Sequence, residues 1–195
     1  MDNSMIHSFS QKQLVDIFRA LEFASFKHSH QKRKGSAGIP YINHPIQVTH
    51  LLIKCLQNPS TEIIIAALLH DTLEDTNTSP EELNGQFGDK VLRLVEEVTD
   101  NMELSSPKRK ELQITHAHTL SAEAGYIKIA DKTCNIRDML TTRIHWTHKR
   151  KIAYIEWAEK VINRINDKHN ELIKEFQNAV AEAETILNYK FNLEL

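Results

Sequence analysis

The chain has 195 residues, 41% of them hydrophobic and 26% charged, the profile of a globular protein rather than a disordered one. It carries only 5 glycines and 5 prolines, where ordinary usage gives roughly 14 and 10. That is too few for the many tight turns of an all-β sandwich or barrel, so long helices are expected. Lys and Arg number 24 against 26 Asp and Glu, a net charge of −2, which argues against a strongly basic nucleic-acid coat and a strongly acidic tail.

In chain order, Leu14, Ile17, Phe18, Leu21 and Ala24 recur at three- and four-residue steps and predict one apolar helical face over 11–29. The basic stretch Lys32-Arg33-Lys34-Gly35-Ser36-Ala37-Gly38-Ile39-Pro40-Tyr41 reads as a loop. It leads into a helix that Asn43 would cap, with Pro45 in the first turn. Asn58-Pro59-Ser60 breaks the chain. The following run, Ile63 to Leu69, has no polar face and reads as a helix at the centre of the core. A buried parallel strand has the same signature; Ala66-Ala67 and the lack of other strand signals favour the helix.

Ser79-Pro80-Glu81-Glu82 has the cap, the proline and the acids of a helix start. Gly85 to Gly88 separates that short helix from one over 89–100, and Ser106-Pro107 starts another. Residues 115–125 read as a loop. A helix over about 126–141 and two amphipathic helices near 149–167 and 169–189 complete an all-α chain, expected to be a single domain over 1–195.

The N-terminus lacks a basic region followed by an apolar core. The longest strictly apolar run is far short of the roughly 20 residues that span a bilayer. The expected address is the cytoplasm, with no membrane or nucleic-acid partner. Cys55 and Cys134 are too few for a disulfide framework or a four-thiolate zinc site.

The chemistry gathers where the apolar run ends. His70-Asp71 is followed four residues later by Glu74-Asp75. On a continuing helix, His70 would lie over Glu74 and Asp71 over Asp75. Four ionisable groups would then crowd one end of a buried helix, a cost that a divalent cation offsets. His44 at a helix start and Asp131 inside an apolar helix each have an ordinary explanation, a helix-end histidine and a buried ion pair. Joined to His70 and Asp71, they make a two-histidine, two-carboxylate set that suits Mn²⁺, Fe²⁺, Co²⁺ or Zn²⁺. His116 and His118, His28 and His30, and His145 and His148 read as surface histidines. Cys134 reads as an apolar helix residue rather than a nucleophile.

The order His…His-Asp…Asp resembles the HD superfamily of metal-dependent phosphohydrolases. The strings around it are more specific. Arg33-Lys34 with Pro40-Tyr41-Ile42-Asn43-His44-Pro45 comes first, then Ala66-Ala67-Leu68-Leu69-His70-Asp71-Thr72-Leu73-Glu74-Asp75-Thr76. Val95-Glu96-Glu97-Val98-Thr99-Asp100 and Ile129-Ala130-Asp131-Lys132-Thr133-Cys134-Asn135-Ile136-Arg137-Asp138 follow. Together they resemble the hydrolase domain of the RelA/SpoT family over about residues 10–190, and within it the stand-alone small alarmone hydrolases of the metazoan SpoT-like kind.

The resemblance implies an all-helical HD domain that uses Mn²⁺ to remove pyrophosphate from the 3′ position of (p)ppGpp. It implies His44, His70, Asp71 and Asp131 as metal ligands and Glu74 with Asp75 as the catalytic acid pair. Arg33 and Lys34 would meet the charged nucleotide, Asn135 would lie near its ribose and phosphates, and Tyr41 would stack near the base or belong to the core. Asp138 departs from the threonine of many bacterial members, and Lys149 and Arg150 fall where the family borders its substrate. The rivals are an NADPH 2′-phosphatase or another HD nucleotide phosphatase, and a non-catalytic module that binds the alarmone.

Overall fold

The structure is a computed structural model and describes residues 9–35, 38–141, 144 and 146–191. Its helices are α1 (Gln11–Lys27), α2 (Asn43–Cys55), α3 (Thr61–Leu69), α4 (Thr72–Asp75), α5 (Pro80–Phe87), α6 (Asp89–Val98), α7 (Ser106–His116), α8 (Ala122–Thr141), α9 (His148–Arg164) and α10 (Asn170–Leu187), with a single 3₁₀ turn at Ala117–Thr119. The described residues form no sheet; Lys32 and Pro40 make an isolated bridge. The all-α expectation holds.

The run Ile63–Leu69 is helical and wholly buried. It has no polar face because α1, α2, α6 and α8 all pack on it. The long helix α8 is the other axis of the core and touches α2, α3, α6, α9 and α10. These two central helices position the candidate residues: α3 leads directly into His70-Asp71, and α8 holds Asp131 near its middle.

Several boundaries differ from the sequence pattern for physical reasons. On α1 the buried line is Ala20 and Ala24, with Ile17 and Leu21 half covered, while Phe18 is 65% exposed and Leu14 45%. The small alanines let α3 approach closely and turn the larger side chains aside. Asn43 does not cap α2; Ile42 occupies the cap position with no side-chain hydrogen bond, and Asn43 is the first helical residue.

Residues 115–125 are not one loop. The helix α7 runs to His116, and α8 starts at Ala122, with Ser121 accepting from the Ala124 amide and itself held by the Glu97 carboxylate. Gly125 reads as a loop residue in the sequence but is a packing residue: a Cβ there would lie 2.9 Å from Ile165 Cγ2.

The stretch before α2 is pinned as a tight excursion. The Arg33 amide donates to the Ile39 carbonyl at 2.9 Å, and the Tyr41 amide to the Gln31 carbonyl at 3.0 Å. Gly38 turns the chain at φ +62, a conformation that costs a residue with a Cβ. The pinning brings Arg33 and Tyr41 to the mouth of the site.

Candidate metal and phosphohydrolase site

The helix that carries His70 does not continue to Glu74. Asp71 sits at φ −98 and ψ −2, and the Thr72 hydroxyl takes the Leu69 carbonyl at 2.7 Å. The backbone turns there, so His70 and Glu74 do not stack along one helix face as the sequence spacing predicts. Instead the turn aims His70 and Asp71 at α2 and α8, and swings Glu74 toward Asp100 at the end of α6.

His70 Nδ1 faces the Ala67 carbonyl at 2.8 Å. A carbonyl only accepts, so Nδ1 carries the proton and Nε2 points inward. That Nε2 is buried without a hydrogen-bond partner, 3.2 Å from Asp71 Oδ2 and 3.9 Å from Asp131 Oδ1. His44 Nε2 lies 3.1 Å from Asp131 Oδ1 and 3.7 Å from Asp71 Oδ2. Ligand atoms of His44, His70 and Asp131 all fall within 4.8 Å of one another. A lone pair aimed at two carboxylates is repulsive unless a cation or a proton lies between them.

Burial favours the neutral His70 ring, but Asp71 and Asp131 outweigh it and raise the imidazole to about 9. Burial prevails at His44 and holds that ring below its ordinary value. Burial also opposes the charge on both aspartates. Even so, His70 keeps Asp71 well below the carboxylate range, and Lys132 with His44 does the same for Asp131. Two imidazoles and two ionised carboxylates around one point fit a divalent cation. The Nδ1 hydrogen bond of His70 is the outer support that metal-binding histidines need.

These groups line a cavity of about 150 Å³ that also holds Glu74, Gln113, Lys128, Lys132 and Asn135. Burial pushes Glu74 up to about 7, and the charges of Asp100 and Asp71 add to it. The Asp100 amide and the Lys128 ammonium pull the other way. A carboxyl in that range is matched to proton transfer near neutral pH. Asp75 is exposed and lies outside this cavity; its carboxylate accepts from Gln31 at 2.9 Å.

A second cavity of about 380 Å³ shares Tyr41, Asp71, Glu74 and Asn135 with the first and adds Arg33, Lys34, Asp75, Arg109, Trp146 and Tyr154. Arg33 donates to Asn135 at 2.7 Å and to Asp138 at 2.9 Å, and sits 5.3 Å from the Tyr41 ring centre. Asp138 is thus buried behind Arg33. The Tyr41 hydroxyl donates to Asp71 Oδ2 at 2.6 Å, so this ring orients Asp71 as well as walling the larger cavity. Lys34 is exposed at the rim, Arg150 lies 4.2 Å from the Trp146 ring centre, and Lys149 is exposed.

Other histidines divide. His116, His118 and His148 are exposed as expected, and His30 with them; His145 lies outside the described residues. His28 does not fit the surface reading: it is buried, stacked on Tyr41 at 4.9 Å and bonded to Gln31 at 2.6 Å. Cys134 is buried, with its thiol pushed up to about 12 by burial, so it is no nucleophile at neutral pH. The sequence reading missed Lys128, Lys132 and Gln113. Both lysines are buried; their signal is two cations flanking Asp131 in an otherwise apolar helix.

The profile of the HD domain matches residues 20–155, and divalent-metal dependence goes with that domain. Guanosine-3′,5′-bis(diphosphate) 3′-pyrophosphohydrolase MESH1 of Xenopus tropicalis is 44% identical over 147 residues, 75% of this chain and 82% of that protein. The Homo sapiens protein of the same name is 40% identical over 161 residues, 82% of this chain and 90% of its own. A solved structure of a metazoan ortholog of SpoT that hydrolyzes ppGpp superposes with a TM-score of 0.82 at 34% identity, covering 91% of this chain and 98% of that one.

Proposed function

The chain belongs to the HD-domain family, and from that premise we propose that residues 1–195 act as one metal-dependent phosphohydrolase domain that removes pyrophosphate from the 3′ position of (p)ppGpp, leaving GDP or GTP. The names of its relatives point to this reaction. The observation that carries it is the shared wall of the two cavities. One contains the ligand set and Glu74, and the other contains Arg33, Lys34 and an aromatic face, with Tyr41, Asp71, Glu74 and Asn135 common to both. A nucleotide in the larger cavity would present a phosphate to the smaller one.

His44, His70, Asp71 and Asp131 would hold the metal, taken to be Mn²⁺. A divalent ion there would lower the pKa of water toward neutral and offset charge on the phosphoryl oxygens. Glu74 would orient the attacking water and receive its proton as the new P–O bond forms and the bond to the ribose 3′ oxygen breaks, the departing 3′ oxygen taking a proton from solvent to become the hydroxyl. Asp75, one residue on, is held at the outer mouth by Gln31 and assists from there. Arg33, Lys34 and Asn135 bind the anionic nucleotide. Tyr41 keeps Asp71 in register.

None of the helices among the described residues is long and apolar enough to cross a membrane; a cytoplasmic address is part of the proposal. The second reading is an NADPH 2′-phosphatase. The wall of Met102, Met139, Ile144, Trp146 and Tyr154 would accept adenine as well as guanine, so it is compatible with this reading too. Separating the products of ppGpp and of NADPH after incubation with the same metal-loaded protein tests the choice. GDP with intact pyrophosphate supports the first reading; orthophosphate from NADPH with ppGpp untouched overturns it.

A further inference from the structure

Glu74 is held by a relay that starts on α7. Its carboxylate accepts the backbone N–H of Asp100, just past the end of α6. That amide is fixed in turn. The Thr99 hydroxyl donates to the Val95 carbonyl at 2.7 Å, and the Lys128 ammonium donates to the Val98 carbonyl at 2.7 Å. The Asp100 carboxylate accepts from the Gln113 side-chain nitrogen on α7 at 2.7 Å, with Arg109 Nε at 3.8 Å.

The carboxylate accepts and cannot donate, so the orientation of the Gln113 amide is settled: nitrogen toward Asp100, oxygen away. That oxygen is buried and has no protein partner. Gln113 lines the 150 Å³ cavity together with Glu74 and the ligand set. A cavity of this size and polarity has room for several waters, and a buried amide oxygen left unsatisfied by protein is a place where water binds.

We propose that Gln113 is a positioning residue for the hydrolysis. Its amide nitrogen fixes Asp100, whose backbone N–H fixes Glu74, and its amide oxygen accepts a hydrogen bond from water in the same cavity. One side chain thereby sets both the carboxylate and the water that the carboxylate orients. The inference rests on the role proposed for Glu74 and deepens it.

The test is a double-mutant cycle on the metal-loaded protein with ppGpp. Gln113→Met keeps length and removes both amide functions. It is expected to lower kcat by about 10-fold or more, within the 10–100-fold range of outer-shell changes, while KM and metal affinity stay within twofold. In the Glu74→Gln background the same substitution is expected to cost less than twofold, because the group it positions is already gone. An unchanged kcat, a loss carried in KM, or an equal loss in both backgrounds overturns the proposal. Gln113→Leu repeats the cycle if the methionine variant does not fold. Full turnover by Glu74→Gln alone overturns the underlying role of Glu74; inactive Glu74→Gln with fully active Gln113→Met overturns only the positioning role.

Discussion

The guanidinium of Arg33, from the loop between α1 and α2, meets the carboxylate of Asp138 on α8 at 2.8 Å, both side chains being largely buried. The ion pair spans 105 residues of sequence and fixes the plane of the guanidinium beside Tyr41. Asp138 therefore serves the site through Arg33.

Arg33→Ala is expected to raise KM for ppGpp about 10-fold, with a smaller effect on kcat, since it removes an anion-binding group rather than a reacting one. Asp138→Asn keeps the shape and loses the charge. It should raise KM by less, about threefold to fivefold, and lower Tm, because a largely buried guanidinium then loses the carboxylate charge that faces it. Steady-state kinetics and a thermal melt check both. An unchanged KM in both variants would remove the pair from substrate binding.

Asp71→Asn should lose metal and turnover together, because the ligand set loses a charge and Tyr41 is left with at most a neutral acceptor. Removing the metal from the wild-type protein should abolish activity and lower Tm. Metal at 100 times its Kd stabilises a fold by about 2.7 kcal/mol, which is about 5–10 °C for a chain of this length. Calorimetry with and without Mn²⁺ reads the shift. No shift in the wild type would mean that these four residues hold no ion.

Glu159 on α9 is 8% exposed. Burial, with Glu156 and Glu184 adding and Lys160 opposing, pushes it up to about 7. The folded state thus holds this proton more tightly than the unfolded chain does. The stabilisation is fully present below the ordinary glutamate value and is lost as pH rises through about 7. Glu159→Gln should leave Tm unchanged near pH 4 and raise it by about 2–8 °C at pH 8.5, on the order of 1–2 kcal/mol. A Tm difference independent of pH would contradict the assignment.

Gly125 faces Ile165 with no room for a methyl group. Alanine is the better helix former by about 1 kcal/mol, but overpacking a core costs about 1–3 kcal/mol. Gly125→Ala is expected to lower Tm by a few degrees. A higher Tm would show that Ile165 moves aside freely.

The parts of the site legible in the sequence are those whose spacing or strings are local. His70-Asp71 at the end of an apolar run stands out by itself, whereas Asp131, His44 and the basic cluster around Arg33 gain meaning only when joined to it. The kink at Asp71 was not legible, because it depends on the Thr72 hydroxyl capturing the Leu69 carbonyl, which helix periodicity does not encode. Gln113 was invisible for a different reason. It lies on a mostly polar helix, and its importance comes from Asp100 and from a cavity whose other walls come from α2, α4, α6 and α8. The exposed Phe18 misled in the opposite sense: its spacing matches the apolar face, but the close approach of α3 to Ala20 and Ala24 sets which side of α1 is buried.

The most direct test of the central claim is hydrolysis of ppGpp by metal-stripped protein in water carrying a heavy oxygen isotope, with and without added Mn²⁺. The account predicts turnover only with Mn²⁺, giving GDP with an unlabelled 3′ hydroxyl and pyrophosphate carrying one heavy oxygen, as attack at phosphorus requires. Turnover without metal, release of orthophosphate in place of pyrophosphate, or label in the GDP hydroxyl would contradict it.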